Sequence, residues 1–200
     1  MKGFGSVDSY KQLYYMLEHP QFTQRQMARD LEMHHGEKIS SFVNWLEDLR
    51  FVKKTYQTKR SKPNYEIPSR GELVNFYSRF RNMQKLKIES YVIGTNQAEM
   101  IQLLNENGGI MCMSTALQLY GEEYYRDPEI HAYVQDPKLF DALSEQVEGR
   151  VKVSIYEFDL PDIIKEKNGI KVTSATRTII DLFCNNMAYA AEQFIPKVWI

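Results

Sequence analysis

A capped short helix, a tight break, a longer amphipathic helix and a basic hairpin follow one another between Thr23 and Ile67, and this order constrains the fold more than any other feature of the 200 residues. Thr23 can accept from the free backbone N–H groups at a helix start while Gln26 reaches back, so Thr23-Gln24-Arg25-Gln26 reads as a capping box. The helix it opens is predicted from Gln24 to Leu31, with Met27, Ala28 and Leu31 facing inward. Gly36 breaks the chain. A further helix is predicted from Glu37 to Leu49, burying Ile39, Val43 and Leu46 with Phe42 and Leu49 alongside. Its other face shows Lys38, Ser40, Ser41 and Asn44, side chains small enough to let a helix sit in a major groove and able to bond base edges and phosphates. A hairpin is then expected, running from Phe51 to Tyr56, turning through Gln57 to Asn64 and returning over Tyr65 to Ile67. Its tip carries Lys59, Arg60, Lys62 and Pro63, a cationic loop suited to the sugar-phosphate backbone or the minor groove.

Ahead of this block, Tyr10, Leu13, Tyr14 and Leu17 line one face of a helix that Pro20 ends. Behind it, Ser69 and Glu72 form a second capping box, with Leu73, Phe76, Tyr77 and Phe80 at helical spacing. This linker helix either packs on the first domain or pairs with a copy of itself to make a homodimer. Its continuation brings Arg79, Arg81, Lys85 and Lys87, an extension of the basic surface. The charge is uneven: residues 37–87 hold twelve Lys or Arg against five Asp or Glu, and residues 88–200 hold nine against seventeen. A basic stretch joined to an acidic remainder points to an electropositive binding surface attached to a domain with another task.

Residues 88–200 alternate strand-like and helix-like runs: Glu129 to Val134 and Val151 to Phe158 as strands, and Asp141 to Val147 as a helix. The expectation is an α+β chain of three parts, a helix-turn-helix domain at 1–68, a linker helix at 69–87 and a small mixed domain at 88–200. Two segments of that last domain stand out. In Ser114-Thr115-Ala116-Leu117-Gln118-Leu119-Tyr120-Gly121, Ser114 is expected to cap a brief helix that Gly121 closes. In Ile170 to Leu182 a strand enters a helix capped by Ser174.

Residues Thr23 to Ile67 resemble the winged helix-turn-helix of many bacterial and archaeal regulators, although Arg50 stands where glycine is usual. The resemblance adds Thr23, Gln24 and Arg25 to Lys38, Ser40, Ser41, Asn44, Lys59, Arg60 and Lys62 as candidate DNA contacts. Together with the two later segments, the chain resembles the AbiEi family, antitoxin-type regulators of type IV toxin-antitoxin systems. The matching positions are Ser114, Ala116, Leu117 and Gly121, then Arg177, Thr178, Asp181 and Leu182. The family often has histidine before that glycine, where this chain has Tyr120. The resemblance implies a repressor of its own promoter, binding double-stranded DNA, whose second domain counters a toxin of nucleotidyltransferase type.

Arg177 and Asp181, one helical turn apart, are placed either to pair with each other or to contact that partner. An alternative reading makes the chain a metal-dependent nuclease using Glu157, Asp159, Asp162, Glu166 and Lys167. Another makes it a free-standing regulator with a ligand- or protein-sensing second domain. The spacing favours no enzyme, no metal site and no cofactor. His34 and His35 lie in the turn without further ligands nearby, and Cys112 and Cys184 sit among apolar neighbours as buried thiols. No apolar run is long enough to span a membrane and the start lacks a signal-peptide plan, so a cytoplasmic protein is expected.

Overall fold

The computed structural model describes residues 5–33, 36–56, 58, 62–93, 96–121, 127–134 and 151–199. The chain divides into two compact units, Met1–Phe80 and Arg81–Val198. Both helices and sheets contribute to the α+β architecture expected from the sequence.

In the first unit, helix α1 (Val7–Glu18) begins where the Ser6 side chain accepts from the Ser9 N–H, and it buries Tyr10, Leu13, Met16 and Leu17. Strand β1 (Gln21–Phe22) leads to helix α2 (Gln24–Asp30), where the Thr23 hydroxyl accepts from the Gln26 N–H as the capping box requires. Helix α3 (Gly36–Asp48) buries Ile39, Val43 and Leu46 completely, and Gly36 is its first residue, not a separate break. Each of these three aliphatic side chains contributes about 1.5–3 kcal/mol by leaving water.

The turn after α3 hinges on Arg50. Its φ of 66° lies in the left-handed region, while Arg50 N–H donates to the Glu47 carbonyl and Phe51 N–H to the Leu46 carbonyl. These bonds satisfy carbonyls at the helix end, and the conformation is the one for which glycine is the usual solution. Strands β2 (Lys53–Thr55) and β3 (Asn64–Glu66) form the hairpin, and β1 joins the other edge of β3, giving the order β1-β3-β2. Phe22 stacks on Tyr65 across that β1-β3 pair at 5.6 Å. Helix α4 (Arg70–Tyr77), capped by Ser69, buries Leu73, Val74 and Tyr77 in this unit, and Phe76 stacks on Phe51 at 4.6 Å. Leu73 and Tyr77 of that face are therefore covered from within, while Phe80 stays 37% exposed. The linker helix also ends ten residues before the expected Lys87, and a separate 3-10 turn follows at Met83–Lys85.

The second unit is built on a mixed six-stranded sheet. Its strands are β4 (Lys87–Ile93), β5 (Ile110–Met111), β6 (Glu129–Val134), β7 (Val151–Glu157), β8 (Lys165–Lys167) and β9 (Ile170–Val172), in the order β4-β7-β6-β5-β9-β8. The β6-β7 and β5-β9 pairs are parallel and the others antiparallel. Helix α5 (Gln97–Glu106) packs Met100 and Leu104 into a core with Met111, Ile130, Val153, Ile155 and Val172. Helices α6 (Met113–Leu119) and α7 (Ala175–Cys184) pack together, and the short helices α8 (Ala188–Ala191) and α9 (Ile195–Val198) follow. Gly121 closes α6 with φ 89°. Ser114 does not cap it: Cys112 holds that position, and the Ser114 hydroxyl donates to Asp127 at 2.9 Å. The helix starts at Met113, which places Ser114 inside the first turn and not at the capping position. The expected helix at 141–147 lies outside the described residues. Cys112 and Cys184 are free and buried, as expected.

Candidate nucleic-acid interface

Helix α3 is held by its buried stripe, so the opposite stripe at the same spacing, Glu37, Ser41, Asn44 and Asp48, is fixed outward. All four are exposed. Ser41 and Asn44 thus stand at the centre of the outward face, between two carboxylates that can accept from the cytosine amino group. Lys38 is off to one side, with Nζ 3.0 Å from Asp8 Oδ2 in an exposed ion pair. Such pairs contribute little and open readily, which leaves the ammonium able to change partner.

On the other flank, the polar groups are engaged inside the unit. Ser40 Oγ donates to Gln24 Oε1 at 2.9 Å, and Gln24 Nε2 donates to the Tyr65 hydroxyl at 3.0 Å. Both residues were candidates for DNA contact, and the structure uses them to fasten α2, α3 and β3 to one another. Arg25 is exposed, and it lines a hollow on α2 together with Thr23, Gln26 and Arg29. Arg29 escaped the sequence reading, although its i, i+4 spacing from Arg25 signals a shared helical face. Lys62 is exposed beside the hairpin, whereas Lys59 and Arg60, like His34 and His35, lie outside the described residues. Lys54 is held near Glu47 at 3.9 Å and over the Tyr65 ring, leaving Lys53 as the exposed cation of β2.

The charge map shifts with the unit boundary. Lys85 and Lys87 belong to the second unit, so the first holds thirteen Lys or Arg against nine Asp or Glu, and the second twelve against seventeen. The asymmetry persists, from +4 to −5, but is smaller than the linear count of the sequence. Arg81 contradicts its assignment to a basic surface, being 7% exposed in the second unit. Its guanidinium donates to Asp159 Oδ1 and to Asp181 Oδ1, each at 2.7 Å, and to the Tyr133 hydroxyl at 3.1 Å.

Arg177 completes this network. Fully buried, it donates from Nε to both oxygens of Asp181 at 2.9 and 2.8 Å, and from its amino end to Tyr133 at 2.9 Å and Asp159 at 3.0 Å. Two guanidiniums and two carboxylates leave no net charge, and the Tyr133 hydroxyl donates a hydrogen bond to Asp181 Oδ2 at 2.8 Å. Burial alone would raise the Asp159 carboxyl, but the hydrogen bonds and charges of Arg81 and Arg177 hold it below its ordinary value. Most of the remaining motif positions are internal as well: Ser114, Ala116, Leu117, Thr178 and Leu182 have no exposed surface, whereas Gly121 is exposed. Thr178 Oγ1 donates to the Ser174 carbonyl at 2.9 Å, one turn back, and Ser174 caps α7 by accepting from Arg177 N–H. Tyr120 donates to the Thr173 carbonyl at 2.9 Å, and burial pushes its hydroxyl up to about 12.

Of the carboxylates considered for a nuclease, Asp159 is taken up by the two arginines, and Asp162 accepts from the Ser174 N–H and hydroxyl at 2.9 and 2.6 Å. Among the described residues no group of three His, Cys, Asp or Glu side chains is placed to hold a metal ion. No helix of the described residues is long and apolar enough to cross a membrane. Compared with family models, with curated proteins and with solved structures, the chain matches none.

Proposed function

We propose that the first unit is a winged helix-turn-helix that binds double-stranded DNA, and that the protein is a cytoplasmic transcriptional regulator. The observation that carries this reading is the exposed Ser41-Asn44 face of α3, rigidly backed by Ile39, Val43 and Leu46 and followed in the chain by a hairpin whose turn sequence is rich in lysine and arginine. In this reading α3 enters the major groove, with Ser41 and Asn44 bonding base edges. Arg25 and Arg29 meet phosphates from α2, and the hairpin tip follows the backbone. Ser40 and Gln24 act indirectly by fixing the angle between α2 and α3.

The resemblance to AbiEi-type antitoxins supports a finer version, in which the protein represses its own promoter and its acidic second unit meets a nucleotidyltransferase-type toxin. The burial of Arg177, Thr178 and Asp181 favours a structural role for that motif, so any partner would be met by other residues of the unit. Gel-shift titration on the duplex upstream of its own gene, at two salt concentrations, tests the DNA reading. A specific complex that weakens steeply with salt is expected, because each neutralised phosphate releases counterions. No specific band at low salt would end it.

A further inference from the structure

We propose that the first unit holds a binding site for a small aromatic cation bearing N–H donors, in the cleft between the start of α1 and the flank of α3. The cleft measures about 680 Å³, within the range of small-molecule sites. Phe42, Trp45 and Phe80 supply apolar walls, and Gln12, Asp8 and Glu37 are among the polar groups lining it.

Three features fix the chemistry of the occupant. Gln12 is 2% exposed, yet its Oε1 has no hydrogen-bond partner. A buried carbonyl left so bears its desolvation cost uncompensated, and a ligand donor entering the cleft removes that cost. The charge of the lining is negative: Lys38 is matched by Asp8 at 3.0 Å, and Glu37 remains in excess. The lining includes three aromatic rings, Phe42, Trp45 and Phe80, and aromatic faces attract cations and stack on planar rings. A planar amidinium satisfies all three, whereas an aromatic carboxylate meets an unmatched acceptor and a like charge.

Benzamidine and benzoate are the probes, titrated into the full chain by calorimetry without DNA, so that the result does not depend on the DNA-binding reading. Benzamidine is expected to bind saturably at one site with Kd on the order of 1 mM or below, and benzoate at least about tenfold more weakly. Gln12→Leu should lower benzamidine affinity by about tenfold while its thermal midpoint stays level or rises, because the orphan carbonyl is gone. Glu37→Gln, at an exposed position where folding is not at stake, should weaken benzamidine several-fold and not benzoate. Absence of saturation up to about 10 mM benzamidine, equal affinity for the two probes, or unchanged affinity in both variants overturns the proposal.

Discussion

Replacing Arg81 by methionine tests the buried network where its failure would be plainest. The guanidinium is nearly sealed, with 6% of the side chain exposed, and it bonds two carboxylates at 2.7 Å each. Methionine keeps the length of the stem, so the packing loss stays below about 1.5 kcal/mol. Electrostatics dominate instead. Without Arg81, Arg177 alone faces Asp159 and Asp181, leaving one uncompensated negative charge where Asp181 is fully buried. Breaking a buried pair in this way costs about 3–5 kcal/mol. Asp159, with 21% of its side chain exposed, can draw in water, which places the expected loss near the lower end, about 3 kcal/mol. For a unit of this size that corresponds to roughly 10 °C in thermal midpoint. Urea unfolding followed by far-UV circular dichroism measures it, and hydrogen exchange across β6 and α7 assigns it to the second unit. Asp159→Asn should be harmful in the natural chain yet restorative in the Arg81→Met chain, because it returns the network to neutrality. A loss under about 1 kcal/mol for Arg81→Met, or an Asp159→Asn effect of the same sign and size in both backgrounds, would refute the reasoning.

Arg50→Gly should raise the stability of the first unit by up to about 1 kcal/mol, since glycine relieves the left-handed strain and loses only part of that gain to a freer unfolded chain. Arg50→Val should lower it, and chemical denaturation of the two variants decides the sign. For DNA, Asn44→Ala is expected to cost about 1–3 kcal/mol at a specific site and little on random duplex. Lys62→Ala should weaken both alike and flatten the salt slope by about one unit; equal losses on both duplexes for Asn44→Ala would remove its base-reading role. Acid should destabilise the second unit. At Asp127, Glu129 and Asp159 burial is outweighed by hydrogen bonds and positive neighbours, so their folded-state values are depressed. Their contribution is full above the unfolded carboxylate range near pH 4 and is lost as pH falls through the depressed values. Asp162 is raised by burial and runs the other way, its contribution full below the unfolded carboxylate value and lost as pH rises from there through its raised folded value. Thermal melts from pH 6 down to pH 3 should show a falling midpoint, and a flat profile would contradict the assignment of these three groups.

Much of the local structure was legible because its causes are local. Thr23, Ser69 and Ser174 each accept from the N–H three residues on, as the spacing of hydroxyl and helix start requires. The period of Ile39, Val43 and Leu46 already determined which face of α3 is turned outward, and with it Ser41 and Asn44. The β8-β9 hairpin was unforeseen, although Asn168 and Gly169, with φ of 52° and 79°, carry the strongest short hairpin signal a sequence offers.

What only the tertiary structure decided are the fates of polar groups whose partners lie far along the chain. Arg81 reads as one more cation in a basic run, and nothing near it in sequence foretells carboxylates 78 and 100 residues away. Ser114 likewise has the chemistry of a cap, yet the helix starts before it and its hydroxyl donates to Asp127, 13 residues away. A hydroxyl or guanidinium donates to an acceptor within reach. Reach is set by how the sheet orders its strands, β4-β7-β6-β5-β9-β8, an order that no local period encodes.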